Sequence, residues 1–265
     1  MTENAATIAT EIRQFYRGRA NTQKYATSPD FNLREIEIEY MRRYLADGQT
    51  ILDVGCGNGY STLSFASGFN SVFTGIDFVP EMIEAARELH TQIPTKGEVS
   101  FQEGNVTQLN FPDATFDIVT SQRCLLNLPS RDDQWRAFAE ISRVLKPGGR
   151  YLMLEGTLQG LHALNEIRAK FGLDPIPEAE AKSNWFSNKF DEPEMIERVH
   201  QFFSGVETTQ RFGMYYFLSR VVQPLMVAPE PPRYDAVINT VARRICEEYP
   251  DFERIGHVAL WVIRR

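Results

Sequence analysis

The sequence predicts an α/β protein built on a doubly wound, mostly parallel sheet. Apolar, strand-like runs at about 50–55, 71–77, 98–103, 115–121 and 150–156 alternate with helical patterns at about 60–67, 80–91 and 131–146, an alternation that specifies a sheet covered by helices on both faces. The first run, Ile-Leu-Asp53, leads into glycines at 55, 57 and 59 before a helical stretch opens at Tyr60. Gly55, Asp77, Asn105, Ser121 and Glu155 all fall at the carboxyl ends of successive runs. That is the edge where open α/β sheets bind ligands.

Taken in order, residues 1–31 form an N-terminal arm. It carries a helix over about 6–19, with Ile8, Ile12 and Phe15 on one side, and then a stretch rich in Tyr, Arg and Thr. Residues 32–156 form the α/β core. Its first helix, 32–45, bears apolar residues at 33, 36, 38, 41 and 45 and is expected to cover one sheet face. Ser130 with Asp133 three residues on resembles a capping box, and Pro147-Gly148-Gly149 stops the helix that follows. Residues 157–190 read as a helix at about 159–171 and then a long irregular segment holding Pro175, Pro177, Trp185 and Phe186. A loop of that length inside a compact fold is expected to be a lid or binding loop, and its aromatics favour an ordered one. Residues 191–265 complete the sheet, with a helix at about 192–203, a strand at about 206–218, a helical insertion at about 219–250 and a final buried strand, HVALWVIRR.

The 265 residues carry a formal charge of −7 and 43% hydrophobic residues. A sizeable core is expected, and tight non-specific binding to nucleic acid is not. No apolar run approaches the roughly 18 residues that span a bilayer, so a cytoplasmic protein without membrane partners is expected. Cys56, Cys124 and Cys246 are scattered, and His90, His162, His200 and His257 show no ligand spacing. Reduced thiols and no metal are expected.

The glycine turn lets the backbone approach a ligand closely and adopt positive φ. A carboxylate just before it, Asp53, suits a cationic ligand and would repel a pyrophosphate. Asp77, 24 positions later at the end of the second run, is placed to accept both ribose hydroxyls of an adenosine. The dinucleotide fingerprint fails because Tyr60 stands where its third glycine belongs. Asp53, Gly55, Gly57 and Gly59 together match the first motif of the class I S-adenosylmethionine-dependent methyltransferases, which the chain resembles over roughly residues 45–156. The resemblance implies a seven-stranded Rossmann-like methyltransferase fold with helical cap insertions, closed by an antiparallel terminal hairpin.

It also implies S-adenosyl-L-methionine as cofactor, bound by Asp53, Gly55, Gly57, Gly59, Asp77, Phe78, Asn105, Val106, Ser121 and Gln122. At the third strand end the family usually has Gly-Asp, and this chain has Gly104-Asn105. The Asn105 amide oxygen is expected to accept from the adenine amino group without the charge-assisted part.

A methyl group on a sulfonium is already activated, so the protein's task is in-line positioning and exclusion of water. A base is needed only for a hydroxyl or protonated amine acceptor. Glu155 and His162 are the candidates, against a plain reading of Glu155 as a structural acceptor and His162 as a surface helix residue. Arg123 either holds an anionic acceptor bidentately or closes an internal ion pair with Glu155 or the cap. Asn127, Trp185 and Tyr215 complete the substrate candidates. Motifs of amino-group, cytosine C5 and protein arginine methyltransferases are absent, which leaves a small-molecule acceptor. Two alternatives stay open, a cofactor-binding regulatory or scaffold protein without transfer and, more weakly, aminopropyl transfer.

Overall fold

In a computed structural model, residues 3–20, 28–178, 187–248 and 256–265 are described. The elements are α1 (Glu3–Arg17), α2 (Phe31–Arg42), β1 (Thr50–Val54), α3 (Tyr60–Gly68), β2 (Val72–Asp77), α4 (Pro80–His90), β3 (Glu98–Glu103), β4 (Phe116–Gln122), α5 (Arg131–Val144), β5 (Leu145–Gly156), α6 (Leu158–Lys170), α7 (Glu192–Phe202), β6 (Gly205–Arg211), α8 (Gly213–Phe217), α9 (Gln223–Val227), α10 (Val237–Glu248) and β7 (Val258–Arg264). They form one seven-stranded sheet in the order β3-β2-β1-β4-β5-β7-β6. β1 to β5 run parallel, while β7 is antiparallel to both β5 and β6. The order in which strands are added therefore reverses between β1 and its parallel neighbour β4, the switch point beyond whose carboxyl ends such sheets have their crevice.

Alternation along the strands builds two cores. Ile51, Leu152, Leu260 and Val262 face one way and pack with Ile36, Tyr40 and Met41 of α2 and Ala242 of α10. Leu52, Met153, Trp261 and Ile263 face the other way and pack with Phe138 and Ile141 of α5 and Met195 of α7. Side chains buried on both faces explain why these strands read as continuous apolar runs. Ser130 caps α5 as its spacing predicts, its hydroxyl accepting from Asp133 N at 3.1 Å.

One expected element changes type. The strand expected over 206–218 ends at Arg211, and Gly213 opens a helical run that passes through a π turn, Leu218–Val222, into α9. Among its buried positions, Phe212, Tyr215, Tyr216 and Ser219 follow the i, i+3, i+4, i+7 spacing of one helix face. The irregular segment after α6 is held by Asn165, which donates to Ile176 O and accepts from Ile176 N, both at 2.8 Å. Phe190 then pairs with Thr157 at the end of β5. Trp185 and Phe186, the expected lid aromatics, lie outside the described residues.

Candidate active site

β1 delivers Asp53 to the crevice, and the turn after it places Gly55, Gly57 and Gly59 at φ of 69°, 55° and 75°, a region that L side chains rarely occupy. At Gly55 a Cβ would also fall 2.3 Å from the Cys124 Sγ, so the turn packs against β4's exit only without one. Gly57 N donates to Asp77 Oδ2 at 2.9 Å and Val79 N to Oδ1 at 2.9 Å. The carboxylate at the end of β2 is thereby fixed beside the turn. Gly59 is the N-cap of α3.

Asp53 is buried, accepting from Thr62 Oγ1 at 2.5 Å and Thr120 Oγ1 at 2.8 Å. Burial raises its pKa from 3.8 to about 6. A cleft opens here, lined by Arg34, Asp53, Gly55, Cys56, Asn58, Tyr60, Ser61 and Gln122. Gln122 joins the cleft to α2: its Oε1 accepts from Ser61 Oγ at 2.5 Å and its Nε2 donates to Glu37 Oε2 at 2.6 Å. Arg123 Nη2 pairs with the same Glu37 oxygen at 3.1 Å.

Above β2, Arg13 of α1 donates to Phe78 O at 3.0 Å, and its guanidinium lies 5.2 Å from the Phe78 ring centroid. Tyr16 accepts from Asn127 Nδ2 at 3.1 Å. Burial, reinforced by Asp77, pushes the Tyr16 phenol up to about 12. The first helix thus lies over the residues that follow Asp77.

A family profile described as a methyltransferase domain matches residues 51–149, which include the glycine turn, Asp77 and Gln122 but not Arg34 of the same cleft. The demethylmenaquinone methyltransferase of Lactiplantibacillus plantarum is 30% identical over 182 residues, 68% of this chain and 70% of that protein. The chain belongs to the class I S-adenosylmethionine-dependent methyltransferases. The 27-O-demethylrifamycin SV methyltransferase of Amycolatopsis mediterranei is 33% identical over 106 residues, 40% of this chain and 38% of that protein. The chain spans about half or less of the length of several curated relatives it matches, 38% and 51% of two of them. In fold, a chain from the complex between the Haloferax volcanii Trm112 methyltransferase activator and a methyltransferase matches with a TM-score of 0.63 at 19% identity, covering 96% of each chain.

The cofactor of this family is S-adenosylmethionine, and the crevice fits it. A turn that excludes Cβ atoms and two carboxylates, Asp53 and Asp77, suit a ligand with positive charge and a ribose diol. The Asp77 carboxylate takes backbone N–H groups of Gly57, Val79 and Phe78, and as an acceptor of about four hydrogen bonds it keeps capacity for a hydroxyl.

Other expected positions are engaged within the protein. Asn105 Oδ1 accepts from Thr107 N and Thr107 Oγ1, both at 2.9 Å, in a local turn. With both lone pairs used, it does not serve as the adenine acceptor in this geometry. The Val106 side chain points into the core with Leu109 and Phe116. Ser121 is fully buried, its hydroxyl 2.7 Å from the Tyr151 hydroxyl and donating to Glu155 Oε1 at 3.3 Å.

Glu155 does not have the geometry of a catalytic base. It is fully buried, with Oε1 accepting from Cys124 N at 3.0 Å and Leu125 N at 2.9 Å, and Oε2 from Leu126 N at 3.1 Å. It caps the turn that follows β4. His162, on an exposed face of α6, pairs with Glu178 at 2.7 Å instead of facing the crevice. Arg123 is spent on Glu37 and not on Glu155, and it also donates to Ser28 Oγ at 3.4 Å. Asn127 closes its own turn, donating to Arg123 O at 2.8 Å. Tyr215 lies on α8, fully buried, its hydroxyl donating to Asp30 Oδ1 at 2.5 Å.

Sequence reasoning missed Arg34 and Glu37, which are buried on α2 among the residues expected to cover the sheet. Neither stands out in the sequence, where charged and apolar residues are interspersed from Leu33 to Tyr40. It also missed Asn58 and Ser61 of the cleft.

Burial raises Glu155 from 4.5 to about 7, as it raises Asp53 to about 6. For carboxyls raised on folding, the stability they contribute is full below the unfolded pKa and is lost as pH rises through the folded one. Denaturant midpoints are therefore expected to fall between about pH 5 and about pH 8, and Glu155→Gln to flatten that slope. An equally steep slope in the variant would remove Glu155 as a source.

Proposed function

We propose that this chain transfers a methyl group from S-adenosylmethionine to a small molecule by direct in-line displacement. The observation that carries the reading is the Asp53 to Gly59 turn bonded to Asp77 at the carboxyl edge, next to a polar cleft. When bound, the cofactor supplies a methyl already activated on a positively charged sulfur. The chain's own task is to hold and orient. Asp77 takes the ribose hydroxyls, the glycine turn the amino-acid portion, Phe78 one side of the adenine, and α1 excludes water from above.

The relatives' names support a small-molecule acceptor, since they act on a menaquinone precursor and a rifamycin precursor. An anionic acceptor gains no support from Arg123, because Glu37 already matches that guanidinium inside the protein. Asp77→Ala is expected to weaken S-adenosylhomocysteine binding at least tenfold, since each charge-assisted hydrogen bond is worth roughly 1.5–3 kcal/mol. Calorimetric titration tests it, and unchanged affinity would take Asp77 out of the site. Mass spectrometry of any nucleoside that co-purifies tests the cofactor itself.

A further inference from the structure

Past Gln122 the carboxyl edge holds a second polar cluster, built from the ends of β4 and β7, from α2 and from α8. Its charges are internally matched. Arg123 pairs with Glu37, and Arg220 pairs with Asp30, which also accepts from Tyr215. Three polar atoms in it are sealed from solvent and have no hydrogen-bond partner among the described residues: Glu37 Oε1, the Tyr216 hydroxyl and His257 Nδ1.

Tyr216 and His257 are in contact, and Glu37, through its pair with Arg123, is close enough for its charge to act on the Tyr216 phenol. The Tyr216 and His257 rings lie 4.9 Å apart between centroids. The Tyr216 phenol is raised by burial and then by the charge of Glu37, and is lowered by Arg220 and Arg123. His257 precedes β7, where Val258 faces Gly156 at the carboxyl end of β5, and Tyr216 follows β6 at the same edge. The chain of contacts from Ser61 through Gln122 to Glu37 connects this region to the cleft of the glycine turn.

A buried polar atom left unpaired is destabilising, so proteins keep few of them, and several in one place call for a ligand or ordered water. The chemistry of the ligand follows from what each atom offers. An ionised carboxylate oxygen only accepts, and a phenol can donate as well as accept, so a ligand that satisfies both brings a donor for Glu37 and suits a group, such as a hydroxyl, that can also accept from Tyr216. His257 is held neutral, since burial and then Arg220, Lys189 and Arg123 lower it to about 3. With both arginines matched by carboxylates, an added negative charge would be buried without a counter-ion.

We propose that Glu37, Tyr216 and His257 form a subsite for the hydroxyl groups of a neutral acceptor molecule, one hydroxyl donating to Glu37 Oε1 while accepting from Tyr216. The proposal rests on the methyltransferase reading and names the class of its acceptor. Glu37 and Tyr216 are fully buried, whereas His257 is partly exposed, which places the approach on the His257 side.

The test uses the full chain saturated with S-adenosylhomocysteine, titrated with matched fragments: phenol, catechol and resorcinol against benzoate and phthalate. The hydroxylated set is expected to bind and the carboxylates not. Tyr216→Phe and His257→Phe should each weaken catechol binding roughly tenfold, the loss of one hydrogen bond. Tyr216→Phe removes an unpaired hydroxyl, so its melting temperature should equal or exceed that of the parent, which separates lost binding from lost folding. Preferential binding of the carboxylates, catechol affinity indifferent to both variants, or no fragment binding to the loaded protein would overturn the subsite and leave ordered water at these atoms. Failure to bind S-adenosylhomocysteine at all would instead remove the methyltransferase reading, and the acceptor role with it.

Discussion

Gly57→Val will abolish measurable S-adenosylhomocysteine binding while leaving the protein folded. Gly57 sits at φ 55°, and its N–H donates to Asp77 Oδ2. A β-branched residue strongly disfavours that conformation, at a penalty of about 1–3 kcal/mol for a non-glycine residue held there. Relaxing it rotates the peptide and releases the carboxylate that should meet the ribose. The new side chain also occupies the turn where the ligand's backbone-like portion must approach. Together these amount to on the order of a hundredfold or more in affinity, about 2.7 kcal/mol. The fold survives because the strain is confined to one turn and β1 and α3 keep their buried faces. Circular dichroism and calorimetry check both halves. Normal binding by the variant would reduce the glycine turn to a connection between strand and helix.

Glu155→Ala will lower the melting temperature by roughly 10 °C. It strands the N–H groups of Cys124, Leu125 and Leu126, which this one carboxylate satisfies together. At about 1–3 kcal/mol for each unsatisfied buried donor the loss is at least about 3 kcal/mol, and each kcal/mol shifts the transition by about 2–4 °C in a domain of this size. The turn under strain is the one that holds Arg123 at φ 54°, with Arg123 N donating to Leu154 O at 2.7 Å. Weakening it should therefore also loosen the Arg123 pair with Glu37. A melting temperature within about 2 °C of the parent would show that the three N–H groups find other partners.

The layout of the cofactor half was legible because its signals are local. Buried strands announce themselves by short apolar runs, helices by their period, and the turn by glycines that alone tolerate positive φ. β3 falls at 98–103 as read, and β1, β2 and β4 fall within a residue of their expected bounds. α8 was misread because Phe212 before Gly213-Met214 and Tyr215, Tyr216 and Phe217 after it satisfy both periods over so short a span. Only its packing against Tyr40 and Cys246 on other helices distinguishes them.

What the sequence determined by itself was the order of strands and helices, the crevice at their carboxyl ends and the pairing of a glycine turn with an acidic strand end. Each depends on residues within one or two neighbouring elements. Tertiary structure alone decided where the charges went. Arg123 met Glu37 from a helix far earlier in the chain, Glu155 turned back to cap the exit of β4, and Tyr216 came beside His257 across the terminal hairpin. A buried charge or hydroxyl is satisfied by whichever partner the packed elements bring within about 3 Å, and that distance is set by the assembled fold and not by spacing along the chain.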